Sequence, residues 1–565
     1  MATRRMFLVP RGPLPARLVR ARLPPALVVA ALLGPLLLAA PLAEAQQRLT
    51  QADVSRLVAQ AVAASAQQGM NATVAVTDRE GRILAVYRMP GATLVSTIPG
   101  QAGNGLEGTA LPSDLVAVTK AGTGAFLSTG GHAFSTRTAS FIVQPNFPPG
   151  IEFTPIGGPL FGVQFSSLPC SDVRNLPLGL AGDPGGIPVY KGGELVGGLG
   201  VEGDGRYVVD EDPSDLDTPP EEVAAVSGAR GFEPPDAIRA ERILVDGIAL
   251  PFVNARALDV APAALVATSF LVAPRDGGGA CLQATSLDGT AGFADPRFPA
   301  RAGRLLTAAD VQRILAAAGR QAARTRAAIR VPRGDFARVS ISVVDADGSV
   351  LGVFQNQDAP RFGLDVAVQK ARTAAFFSAP GAADALRQAR LPEFVTGEVP
   401  LDGSVAYSTR AVGFLAQPLY PPGIAGTTHG PLSLPIDEWS PFNTGAQLGL
   451  VLDRVREILA SGVTAAQLAA LQPPGPCEAL PVVRCSREVA ALPNGITIFP
   501  GGVPLFKGGQ FAGAIGVSGD GVDQDDLIAG AGSEGFEAPE DRRCDRLIVR
   551  GARLPYLKFP RHPEN

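Results

Sequence analysis

Residues 134–151 read FSTRTASFIVQPNFPPGI, and residues 407–424 read YSTRAVGFLAQPLYPPGI. Ten of these 18 positions are identical without a gap, and two more exchange Phe for Tyr. Chance does not produce that match. The chain therefore carries one domain twice, and other blocks follow in the same order on both sides. Leu49-Thr50-Gln51-Ala52-Asp53-Val54 matches Leu306-Thr307-Ala308-Ala309-Asp310-Val311. In both, a threonine precedes an acid by three residues, the signature of a helix start. VAVTDREGRILAVY (74–87) pairs with ISVVDADGSVLGVF (341–354). Alternating apolar residues around the turns Asp78–Gly81 and Asp345–Gly348 predict a hairpin in each copy.

VAVTKAGTGAFLS (116–128) pairs with VAVQKARTAAFFS (366–378), an apolar-periodic helix. IPVYKGGELVGGLGVEGDG (187–205) pairs with VPLFKGGQFAGAIGVSGDG (503–521), a second hairpin turning at Lys-Gly-Gly. The copies close with GFEPP (231–235) against GFEAP (535–539), and RILVDG (242–247) against RLIVRG (546–551). Copy one carries 17 extra residues between Asp78 and Lys120; copy two gains 23 and then 43, including the helical-looking stretch 446–461. Residues 255–304 have no counterpart and are read as a linker. The predicted organisation is a targeting segment 1–45, a first domain 46–254, a linker 255–304 and a second domain 305–565. The fold class is α/β (α+β): a mostly antiparallel sheet flanked by helices, present twice.

The first 45 residues have six arginines, an apolar run from Ala26 to Ala40 and Ala43-Glu44-Ala45 as a small-x-small cleavage pattern. They predict export, to a periplasmic or extracellular destination, with no span after cleavage. Arg4-Arg5 leaves both a general and a twin-arginine route open. Without residues 1–45 the net charge moves from −4 to −9. No cationic cluster follows residue 45, which speaks against nucleic acid. Of five cysteines, none forms C-x-x-C; Cys477 and Cys485 are close enough in sequence to bridge, and plain buried thiols are the competing reading.

These blocks resemble the GlcG/HbpS family of haem-binding proteins. The resemblance rests on the opening helix, the V-x-V-x-D-x-x-G hairpin (74–81, 341–348), the K-A-x-T-x-x-F helix (120–126, 370–376) and the Gly-rich closing hairpin. It implies a profilin-like fold, haem as cofactor, and a role in haem storage, sensing or degradation. It also implies oligomers of single domains, of which a tandem chain supplies two units covalently. The candidate contacts are residues shared by both copies: Lys120, Thr123, Lys370 and Thr373, which match the family's K-A-x-T helix, and, from the repeat alone, Arg137 and Arg410 of the Ser-Thr-Arg triplets as holders of a carboxylate. For the lysines, the competing reading is a buried ion pair; for the arginines, a salt bridge to Glu233 and Glu537. A haem site also needs an axial ligand. His132 aligns with Val405 and His429 with Ile156, so the copies share no histidine ligand, and a histidine site in one copy only stays open. The alternative to a binding protein is a structural or interaction protein that kept the fold without a pocket.

Three other motifs were weighed. Gly198-Leu199-Gly200-Val201-Glu202-Gly203 satisfies G-x-G-x-x-G, but an acidic, proline-bearing loop follows instead of a helix, and Ala514 stands where Gly198 does. Tight hairpin and sheet packing explains these glycines better. Asp210, Asp212, Asp215 and Asp217, and likewise Asp520, Asp523, Asp525 and Asp526, offer calcium ligands without EF-hand spacing. The second run is expected to cap a helix. No Ser–His pair recurs between the copies, so no hydrolase constellation and no catalytic residue is assigned.

Overall fold

The computed structural model describes residues 47–99, 106, 108–143, 171–174, 176–210, 212–213, 215–245, 247–279, 281–417, 419–422, 424, 426–433, 456, 459–472 and 489–560. Two antiparallel sheets dominate. The first runs Gly186–Lys191, Glu194–Glu202, Thr73–Asp78, Ile83–Arg88, Phe270–Val272. The second repeats that order with Gly502–Lys507, Gln510–Gly519, Val339–Val344, Val350–Gln355, then Thr290–Ala294 and Gln283–Leu287. Both predicted hairpins are present in both copies. In the Lys-Gly-Gly turns all four glycines, Gly192, Gly193, Gly508 and Gly509, have positive φ, which a two-residue connection demands.

Each sheet is sandwiched by helices. Helices Gln51–Gln67 and Pro220–Gly228 cover one face of the first sheet, where Leu57, Ala61 and Ala224 share a core with Val74 and Val76. Helix Ser113–Leu127 covers the other face, over Ala75 and Val86. Helices Ala308–Ala322, Val522–Gly532 and Phe362–Ser378 repeat the arrangement on the second sheet. The two predicted helix starts are capping boxes: Thr50 Oγ1 accepts from Asp53 N at 3.2 Å, and Thr307 Oγ1 from Asp310 N at 3.1 Å. The turn lysines close on the same acids, Lys191 on Asp53 at 2.7 Å and Lys507 on Asp310 at 2.6 Å.

The segment 255–304 differs from the expected linker. Phe270–Val272 pairs with Ile83–Arg88 as the edge of the first sheet, and the hairpin 283–294 extends the second sheet through Val350–Gln355. A Gly/Pro-rich composition concealed these short, half-exposed edge strands. The G-x-G-x-x-G glycines lie on strand Glu194–Glu202 and its end, under helix Ser113–Leu127. A Cβ on Gly198 or Gly200 would fall closer than 3.0 Å to the carbonyl oxygens of Ala121 and Ala117. The motif therefore serves helix-on-sheet packing.

No acid of the 520–526 run caps helix Val522–Gly532; its N-cap is Gly521, without a side-chain cap. Asp520 is instead consumed by Arg330, at 2.6 Å. Residues 1–45, Cys170, Cys477, Cys485 and most of 446–461 lie outside the described residues. Cys281 and Cys544 are buried thiols. Among the described residues no helix is long and apolar enough to cross a membrane.

Ion pairs and a backbone hydrogen bond join the copies. Glu80 of the first takes Arg361 of the second at 3.0 Å, and Asp358 of the second accepts from Gly130 N of the first at 2.9 Å. Arg372 grips Asp172 at 2.7 Å. Burial works against the Glu80 carboxylate, but Arg361 and Arg174 outweigh it and hold its pKa below the usual value.

Candidate functional site

The Lys-Ala-x-Thr helices bring their lysines into the interior of each copy. Lys120 is fully buried and meets three carboxylates, Glu221 at 2.5 Å, Glu202 at 2.8 Å and Asp183 at 2.9 Å. Burial alone would lower the Lys120 pKa; the three acids outweigh it and push it well up. Burial, then Glu202, pushes Glu221 up to about 8. Lys370, equally buried, meets one acid, Asp525 at 2.8 Å, and donates to the Val517 carbonyl at 2.9 Å. Burial pushes Asp525 up to about 7 against the pull of Lys370.

The threonines one turn on, Thr123 and Thr373, hold loops. Each donates to a carbonyl of its own helix and accepts a backbone N–H, from Ala181 at 2.8 Å and Thr497 at 3.0 Å. Arg137 forks onto Glu222 at 2.9 Å and reaches Asp210 at 2.7 Å and Asp217 at 2.9 Å; Arg410 pairs with Asp526 and, at 2.6 Å, with Asp523. The expected partners Glu233 and Glu537 instead accept from the amides of Gly231 and Gly535 in their own turns. In the first acidic run, the Arg137 guanidinium is thus the cation beside Asp210 and Asp217.

A cavity of about 410 Å³ opens between the copies, within the roughly 300–1,000 Å³ of small-molecule sites. Leu127, Phe134 and Ile142 wall it from the first copy, Phe362, Val366 and Phe499 from the second. Its polar lining comes from Lys370, Ser518, Asp523, Gln524 and Asp525 of the second copy and His132 of the first. Of the six residues singled out from the sequence, Lys370 alone lines this cavity.

His132 sits in a locked loop. Thr129 Oγ1 accepts from Gly131 N at 3.0 Å and His132 N at 3.2 Å, Phe134 N donates to Ser128 Oγ at 2.9 Å, and Tyr190 Oη donates to the Thr129 carbonyl at 2.6 Å. The imidazole is fully buried, and its Nε2 has no hydrogen-bond partner. Burial, with Arg330 adding to it and Asp520 opposing, pushes its pKa down to about 4. A neutral ring with an open Nε2 is a competent metal ligand. Repeat equivalence does not select this residue, because the cavity belongs to the junction and not to either copy. The signal in the sequence was a Gly-Gly-His immediately before the shared Ser-Thr-Arg block in one copy only.

The sign of the His132 effect on stability is fixed. The unfolded imidazole protonates near 6.5 and the folded one only near 4, so stability is full above pH 6.5 and falls toward pH 4. The expected loss is about 3 kcal/mol. Asp525, raised, contributes the opposite slope, so the measurement is a difference: urea midpoints of the unliganded chain and His132→Gln across pH 4–7. Parallel curves would contradict it.

The repeat accounts for the asymmetry. Phe499 and Ser518, on the cavity wall, stand where the first copy has Asp183 and Glu202. In the first copy those acids converge on Lys120.

The HbpS-like family model, described as haem-degrading protein HbpS-like, matches residues 49–98 and 460–534. The first match covers the opening helix and hairpin of copy one, the second the closing hairpin and last helix of copy two. Solved structures similar to the chain include the PduOC–heme complex (20% identity, 33% of this chain and 96% of that one, TM-score 0.21). Klebsiella pneumoniae protein ORFY (19%, 34% and 94%, 0.22) and a double mutant of Streptomyces reticuli HbpS (23%, 37% and 97%, 0.20) are also similar. No curated protein matches the chain. The family model thus matches one part of each copy, in blocks that carry the resemblance read from the sequence.

Proposed function

We propose that this tandem HbpS-like chain is an exported binding protein that takes one haem in the cavity between its copies, with His132 as axial ligand. The observation that carries this reading is the buried Nε2 of His132, without a hydrogen-bond partner, beside a cavity whose wall is mostly Phe, Leu, Ile and Val with a polar side from the second copy. Haem asks for an axial donor, a flat apolar slot and cations for its carboxylates. The donor and the slot fit. Lys370 is the cation on the wall, reachable by a carboxylate at the expense of its pair with Asp525. Bound there, haem would supply redox-active iron; the chain supplies a neutral imidazole and a mostly apolar wall. The cavity itself favours this reading over a fold kept without a pocket. Export rests on the arginine-rich, apolar, Ala-Glu-Ala pattern of residues 1–45. Storage, sensing and degradation all begin with this binding step.

Hemin titrated into the full chain is expected to give a Soret shift that saturates at one equivalent, because the first copy's equivalent position is filled by acids. His132→Ala is expected to raise Kd about tenfold or more and to change the Soret position. A flat titration, or two equal sites, rules the reading out.

A further inference from the structure

We infer that Asp520 of the second copy is the positioning residue for His132 of the first, accepting the Nδ1 proton when Nε2 binds a metal. This rests on the haem reading above. Asp520 is fully buried. Its Oδ2 accepts from Arg330 Nε at 2.6 Å and from Arg338 N at 3.1 Å, while its Oδ1 has no hydrogen-bond partner and lies 3.9 Å from His132 Nδ1. A metal on Nε2 requires the ring proton to sit on Nδ1, which then needs an acceptor. Thr129 Oγ1 is nearer, 3.3 Å from Nδ1, but it already accepts two backbone N–H groups, the capacity of a hydroxyl oxygen. The Leu127 carbonyl also acts on the ring, but Asp520 Oδ1 is the buried acceptor without a hydrogen-bond partner, and a ring rotation that shortens 3.9 Å by about 1 Å makes the bond.

Two buried polar atoms without partners, one on each copy, are thus satisfied together by one ligand. A carboxylate on the distal nitrogen makes an imidazole a stronger donor and favours the more highly charged metal. Ligand and positioning residue come from different copies, so the site needs both in register. The Arg330 guanidinium, held by Asp520 and at 2.8 Å by Asp358, fixes the carboxylate and spans the junction.

The test uses the hemin-loaded full chain. Asp520→Asn is expected to retain one hemin per chain and to lose about tenfold of the preference for ferric over ferrous iron, an upward potential shift of about 59 mV. The ferrous iron–histidine stretching frequency is expected to fall with it. Asp358→Asn, which disturbs the same arginine but makes no hydrogen bond to His132, is expected to leave both values near those of the unmodified chain. If Asp520→Asn does not fold, the unmodified chain loaded with diamagnetic zinc protoporphyrin still decides: an exchange-protected His132 Nδ1–H must be present in nitrogen-15 spectra. Equal shifts in the two variants, no shift in Asp520→Asn, or an unprotected Nδ1–H overturn this inference while hemin binding stands. A chain that takes up no hemin overturns the binding reading and this inference with it.

Discussion

Lys120→Met is expected to destabilise the first copy by about 4 kcal/mol or more, the cost of leaving buried charge uncompensated, and to lower Tm by roughly 10 °C. Asp183, Glu202 and Glu221 lie within 4.8 Å of one another, and Lys120 is the cation at their centre. Glu202 keeps Ser96 Oγ at 2.6 Å and Glu221 keeps Asp204 N at 3.0 Å, but neutral donors do not balance three acids. Without the lysine all three must bind protons, so the penalty grows as pH rises above the ordinary carboxylate range. The unmodified chain already has a milder form of this slope. Glu221 is held near 8 when folded, so its contribution is present below about 4.5 and lost as pH rises toward 8. Lys370→Met exposes only Asp525 and is expected to cost clearly less. Calorimetry at pH 5 and pH 8 checks both. Equal losses in the two variants, or a Lys120→Met penalty that shrinks with rising pH, would contradict the assignment. Adding Glu202→Ser, which copies Ser518 of the second domain, is expected to recover part of the Lys120→Met loss.

That lysine also marks what was and was not legible in the sequence. The K-A-x-T helix, its apolar periodicity and the burial of its lysine follow from residues three and four apart. So do the capping boxes at Thr50 and Thr307 and both hairpins, which near neighbours encode. The acids that meet Lys120 lie 63, 82 and 101 positions away, in a loop, at a strand end and in the first turn of a helix, where no periodicity announces them. The structural reading of Arg137, a salt bridge to Glu233, joins two shared blocks; the arginine pairs with Glu222 because helix Pro220–Gly228 packs beside it. The edge strands at 270–272 and 283–294 gain their pairing from sheets formed elsewhere, so their own composition reads as linker. His132 escapes repeat equivalence for a physical reason. Repeat symmetry isolates what both copies need for folding. A site at their junction is built from what each has alone, and there equivalence selects against the answer.

Gly516→Val is expected to cost about 3 kcal/mol or more and to abolish hemin uptake at the same time. A Cβ at Gly516 would fall closer than 3.0 Å to the Ala367 carbonyl oxygen and the Ala371 amide, both backbone atoms of helix Phe362–Ser378. Backbone cannot rotate away as a side chain can, so the helix must lift from the sheet. Phe362, Val366 and Lys370 lie on that helix and line the cavity, so the displacement opens the site's wall. Gly200 makes the same close approach in the first copy, to the Ala117 carbonyl, whereas Gly198 corresponds to Ala514 and is not shared. The shared glycine therefore marks where helix and sheet must touch in this fold. Gly200→Val is expected to cost similar stability but to reduce uptake less, since of the residues of helix Ser113–Leu127 only Leu127 faces the cavity. Urea unfolding and hemin titration on the pair separate the effects: equal losses of uptake would mean that general loosening, and not the second copy's helix, governs the site.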